Sequence, residues 1–128
     1  QMEITLTSGK VVKLSAKEND AVATWTPCGI GYTVKIQVVG GKSRSFRFFD
    51  SYYNMMEGKE VDLRGAIACF ASDAITGENS DSAESIMDEF GYDKISEAKK
   101  VFTGVKKAQK QAEELGFSYE DLSELSDW

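Results

Sequence analysis

Met87-Asp88-Glu89-Phe90-Gly91-Tyr92-Asp93, together with the pattern from Ser96 to Leu115 that follows it, decides how this chain is read. In the second part Ala98, Val101, Phe102, Val105, Ala108, Ala112 and Leu115 keep a helical period until Gly116, and Ser96 is the expected N-cap. In the first part Gly91 stops a shorter helix. Asp81 and Glu84 open it at capping-box spacing, and Ile86, Met87 and Phe90 point inward. Working outward, Asp62 caps an earlier helix whose Leu63, Ile67, Phe70 and Ala74 form one apolar stripe ending before Gly77. Downstream, Ser118 with Asp121 starts a last helix carrying Leu122 and Leu125.

Upstream of residue 50 the apolar period changes from 3.6 to 2. Ile4 and Leu6, then Val12 and Leu14, alternate around Ser8-Gly9 as a hairpin; Tyr32, Val34, Ile36 and Val38, then Phe46 and Phe48, alternate around Gly40-Gly41 as a second. Parity demands odd loops, since a two-residue loop would send half of each apolar set to the wrong face. Loops of residues 8–10 and 40–42 satisfy it, pairing Leu6 with Val12, Ile4 with Leu14, Ile36 with Phe46 and Val34 with Phe48. Thr33, Lys35, Gln37, Ser45 and Arg47 then share the wetter face. Lys17 to Asp20 reads as a polar connection, residues 21–26 around Trp25 as a strand ended by Pro27, and residues 50–59 as the crossing from sheet to helices. The expectation is an α+β fold in one domain. An N-terminal antiparallel sheet of four to five strands occupies residues 2–50, and four helices occupy residues 60–128.

Composition narrows the functional classes. A chain of 128 residues is long enough for its own core, and 41% hydrophobic with 28% charged residues is ordinary globular content. There is no histidine, and Cys28 and Cys69 lie far apart without metal-ligand spacing, so no zinc site is expected and both cysteines read as buried thiols rather than a disulfide. No apolar run approaches the ~20 residues of a membrane span. No Ser/His/Asp or Cys/His set, P-loop or GxGxxG pattern is present, so neither an enzyme nor a cofactor is expected.

Charge is strongly segregated. Residues 1–54 hold seven Lys/Arg against four Asp/Glu, whereas residues 55–128 hold eight against seventeen. Within the second part, residues 78–93 and 111–128 each contain six acids and, in either stretch, no Lys or Arg. Carboxylates at that density can imitate a nucleic-acid backbone and steer a basic partner. Asp88, Glu89, Asp93, Glu113, Glu114, Glu120, Asp121 and Glu124 are therefore the candidate partner-binding residues. Glu113 and Glu114 stand out because a helix C-terminus disfavours acids. A competing surface is the outer face of the long helix, where Lys99, Lys100, Lys106, Lys107 and Lys110 project within roughly 120° of one another and offer phosphate contacts.

The hairpin from Tyr32 to Phe48, the helix Asp62-Leu63-Arg64-Gly65-Ala66-Ile67-Ala68-Cys69-Phe70, the turn Asp88-Glu89-Phe90-Gly91-Tyr92-Asp93 and the following Glu97-Ala98-Lys99-Lys100-Val101-Phe102 resemble a group of small proteins of bacteriophages and integrated mobile elements in Gram-positive and gut bacteria. The likeness covers about residues 31–110 and is most specific at Phe90-Gly91-Tyr92-Asp93. It implies no catalytic residue. In general character a small acidic protein of this kind is similar to inhibitors of host defence such as anti-CRISPR proteins, a likeness of type rather than of motif. The expectation is a protein of the bacterial host cytoplasm that binds and inhibits a host nuclease, a Cas9-type effector or its guide-RNA complex, through its acidic surface. The alternative is a nucleic-acid-binding accessory protein of a phage or plasmid, using the lysine face.

Overall fold

A computed structural model describes residues 1–19, 31–49 and 62–127. The expected strand at 21–26, Pro27, Cys28 and the crossing at 50–59 lie outside the described residues. The chain divides into two compact units, Gln1–Ala66 and Ile67–Trp128. The fold is α+β: an N-terminal four-stranded antiparallel sheet is followed by four helices.

The sheet is built from β1 (Met2–Thr5), β2 (Val11–Asn19), β3 (Gly31–Val38) and β4 (Ser43–Phe49), in the spatial order β1-β2-β3-β4. Alternation places Ile4, Leu6, Val12, Leu14, Val34, Ile36 and Val38 on one face, and all seven are buried. Parity is as expected, but the register differs by two residues in both hairpins. Ile4 faces Val12 and Met2 faces Leu14; Val34 faces Phe46 and Ile36 faces Arg44. The loops are residues 7–9 and 39–41, closed by Leu6 N–H to Lys10 O (2.8 Å) and Val38 N–H to Lys42 O (3.2 Å). In the first hairpin the cause is backbone strain: the expected loop would put Lys10 at the third position, where the observed loop places Gly9 (φ 94°) in the left-handed region that only glycine enters cheaply. In the second, Gly40 (φ 80°) takes that region at the middle of the loop, and Gly41 N–H donates to Val38 O at 2.8 Å. Two further expectations change. β2 extends through Asn19 because Glu18 and Asn19 pair with Tyr32 and Gly31, and Phe46 and Phe48, on the outer strand β4, are only half-buried.

The helices are α1 (Leu63–Asn79), α2 (Ala83–Phe90), α3 (Ile95–Leu115) and α4 (Tyr119–Ser126). Asp62 Oδ1 accepts from Gly65 N–H at 3.0 Å, the expected cap, and Leu63, Ile67, Phe70 and Ala74 are buried. α1 runs on through Gly77 instead of stopping before it. The reason is close packing within the helical unit: a Cβ on Gly77 would overlap Val105 O and lie 2.7 Å from Val105 C on α3. Cys69, expected to be buried, is exposed on this helix.

Two helix starts do move. α2 is capped by Ser82, not Asp81; Ser85 N–H donates to Ser82 Oγ at 3.2 Å, and buried Ala83 follows immediately. α3 begins at Ile95 behind Lys94, with Ser96 inside the helix and no side-chain cap. Ile95 packs on a cluster of Ala83, Ile86, Ala98 and Val105, and that burial sets the start ahead of the better capping residue.

Candidate functional site

Both ends of α3 carry the acidic residues singled out above. At one end lies the α2–α3 corner. Gly91 (φ 70°) stops α2, and both its N–H and that of Tyr92 donate to Met87 O, at 3.0 and 3.2 Å. The second bond is the six-to-one link of a Schellman motif, whose hydrophobic contact falls between the residue after the glycine and the acceptor residue. Tyr92 and Met87 accordingly both pack on the Ala83/Ile86/Ala98/Val105 cluster. Phe90, expected in the core, is displaced from it and stands 50% exposed, its ring 6.4 Å from that of Tyr92. Asp88, Glu89 and Asp93 surround it in sequence and are all exposed.

The far end repeats the device. Gly116 stops α3, Phe117 N–H donates to Ala112 O at 3.0 Å, and Phe117 is buried. Tyr119 then stands 50% exposed beside exposed Glu120 at the start of α4. At 1.5 Å per residue, Glu113 lies roughly 30 Å along the chain of α3 from Asp93, so the acids form two poles rather than one continuous surface.

The eight candidate acids are not equivalent. Glu113, exposed, accepts from Gln109 Nε2 at 3.3 Å, a side-chain brace one turn back that offsets its unfavourable place at a helix C-terminus. Glu114 and Glu124 are half-buried. Asp121 is 3% exposed and belongs to the fold: Ser118 N–H donates to its Oδ2 at 3.0 Å, and its own N–H donates to Ser118 Oγ at 3.2 Å, a complete capping box. Asp121→Ala should cost ~2 kcal/mol in urea unfolding, and Asp121→Asn, which keeps an acceptor, should cost less.

The lysine face is reduced by one. Lys99, Lys100, Lys107 and Lys110 are exposed. Lys106 is half-buried: its Nζ donates to Gly77 O at 2.7 Å and to Gln109 Oε1 at 3.3 Å, and sits 5.5 Å from the Phe102 ring centroid. It supplies positive charge at the C-terminal end of α1, which has no basic residue in its own last turn.

No family model, curated protein or solved structure matches this chain. The chemistry therefore has to come from the surfaces themselves. Among the described residues, no group of three or more His, Cys, Asp or Glu side chains is placed to hold a metal ion, and no helix is long and apolar enough to cross a membrane. What the two poles offer is carboxylate charge beside a solvent-facing ring. That combination suits docking: the ring supplies apolar area and the acids supply steering.

The Asp73 carboxyl on α1 is pushed up from its ordinary 3.8 by desolvation although the residue still reaches solvent. A carboxyl raised in the folded state costs stability while ionised. The cost is full above the folded value and vanishes once pH falls below the unfolded value. Asp73→Asn should therefore raise the melting temperature at neutral pH, and the gain should disappear by about pH 3.

Proposed function

We propose that the protein is a non-enzymatic binding protein whose acidic helical unit docks on a basic, nucleic-acid-handling surface of another protein, and that it acts as an inhibitor of a bacterial Cas9-type nuclease in the setting of a phage or mobile element. The observation that carries the docking reading is Phe90, half-exposed amid exposed Asp88, Glu89 and Asp93 at a corner whose geometry is fixed by Gly91 and Tyr92. Interface hot spots are typically aromatic anchors ringed by polar groups, and a basic nucleic-acid groove supplies the complementary charge. The nuclease and the mobile-element setting rest on the resemblance in the Phe90-Gly91-Tyr92-Asp93 region and on the acidic character of the unit.

The test is guide-directed DNA cleavage by a Cas9-type nuclease with increasing amounts of the protein. Wild type should suppress cleavage. The triple reversal Asp88→Lys, Glu89→Lys, Asp93→Lys should abolish suppression, and Glu113→Lys with Glu120→Lys should weaken it. Asp121 is left intact, because reversing a buried capping residue reports on folding. Suppression unchanged by the triple reversal would remove the acidic corner from the mechanism. Failure of wild type to inhibit or bind the nuclease would remove that partner.

A further inference from the structure

The open face of the sheet carries a second surface of opposite sign. We propose that this face binds the phosphodiester backbone of a nucleic acid, with Lys13, Lys17, Lys35 and Arg47 as the phosphate contacts.

The register fixes their arrangement. Lys35 lies between Ser15 on β2 and Ser45 on β4; Thr33 lies between Lys17 and Arg47; Gln37 lies between Lys13 and Ser43. Lys13, Lys17 and Arg47 therefore occupy three of the four diagonal positions around Lys35, each roughly 7–8 Å from it. All four cations are exposed, and none makes an ion pair among the described residues. The nearest carboxylate across the ladder is Glu3, directly opposite Lys13 on β1, and none lies opposite Lys17, Lys35 or Arg47.

Four like charges gathered around one sheet position repel one another, a cost that an incoming polyanion removes. A hollow of about 100 Å³ on the sheet is lined by Gln1, Leu14, Lys13, Ser15, Lys35 and Gln37, the last four of which carry two ammonium groups, a hydroxyl and an amide. These groups can donate several hydrogen bonds to one phosphate. Among the residues on this face whose side chains are described, none is aromatic; Val11 is half-buried, and Val39, whose N–H donates to Val11 O at the end of β3, is 52% exposed. Around Lys35 this face is cationic and polar in its described side chains, unlike the apolar core of a protein interface or a membrane contact. It is suited to backbone phosphates of any sequence.

This site lies in the sheet unit and is independent of the acidic corner, so the two proposals fail separately. The probe is a fluorescein-labelled single-stranded 20-mer oligonucleotide, with a duplex of the same length as a second arm, titrated with the full chain by fluorescence anisotropy. Four phosphate contacts give a log–log salt slope near −2.8 on the single strand, a roughly 50-fold loss of affinity between 50 and 200 mM salt. Lys35→Gln with Arg47→Gln should halve that slope to about −1.4, a roughly 7-fold loss over the same range, with an unchanged melting temperature. Lys35→Glu with Arg47→Glu should abolish binding in both arms. Three results overturn the proposal: no binding at low salt, binding unaffected by the sheet variants but lost on reversing Lys99 and Lys107, or poly-glutamate displacing the oligonucleotide as effectively as unlabelled DNA does.

Discussion

Gly77→Ala is expected to destabilise the helical unit by ~3 kcal/mol, lowering the thermal midpoint followed by helical circular dichroism by about 10 °C. Alanine is intrinsically the better helix residue, so propensity alone would give the opposite sign. Packing overrides it. The added methyl would overlap Val105 O and meet Val105 C at 2.7 Å and Gln109 Cβ at 3.1 Å, and two of those three atoms belong to the backbone of α3, which cannot rotate away. Moving α1 outward would also lengthen the 2.7 Å bond from Lys106 Nζ to Gly77 O and uncover the C-terminal carbonyls of α1. Gly104 supplies the control. It lies in α3, it is exposed, and a Cβ there meets nothing within 4 Å. Gly104→Ala should therefore stabilise by ~0.5–1 kcal/mol. Equal effects of the two substitutions would show that α1 and α3 do not approach each other at Gly77.

That pair of glycines shows where sequence and structure part. Periodicity is a property of one element, and it was sufficient for the α+β order, both hairpins, the buried Ile4, Val12, Leu14, Val34 and Ile36 of β1 to β3 and the stripes Leu63/Ile67/Phe70/Ala74 and Ala98/Val105/Ala112. A glycine inside a helix is different: Gly77 and Gly104 look alike in sequence, and only the neighbour of each distinguishes them. The hairpin registers lie between these cases. Parity followed from the apolar pattern, while the two-residue offset in the first hairpin depended on whether Gly9 or Lys10 entered the left-handed region. Ser96 and Asp81 were good caps in isolation, but burial of Ile95 and Ala83 set where the helices begin. At the acidic surface, charge density was legible and availability was not. Asp121 spends its carboxylate on the Ser118 backbone, Lys106 is bound to a carbonyl 29 residues away in sequence, and Phe90 lost its expected core position to Tyr92.

Tyr92 and Phe90 should accordingly separate stability from binding. The ring of Tyr92 packs on the cluster with Met87, Ile95, Val101 and Phe102 at its margin, held there by the Schellman bond from its own N–H. Tyr92→Ala removes that contact and loosens the corner, at an expected cost of ~2–3 kcal/mol. Phe90→Ala deletes a half-exposed ring with no comparable burial, and its unfolding midpoint should stay within ~0.5 kcal/mol of wild type. Against a basic partner the ranking by direct contact reverses. Truncating an aromatic anchor at the centre of an interface costs ~2 kcal/mol, so Phe90→Ala should weaken the complex roughly 30-fold while remaining fully folded. Tyr92→Ala, measured well below its own melting temperature, should weaken it less, because what it removes is support behind the contact. If Phe90→Ala destabilises as much as Tyr92→Ala, the exposed placement of Phe90 is wrong. If Phe90→Ala leaves both stability and association unchanged, the ring at this corner is incidental, and the carboxylates of Asp88, Glu89 and Asp93 carry the docking by charge alone.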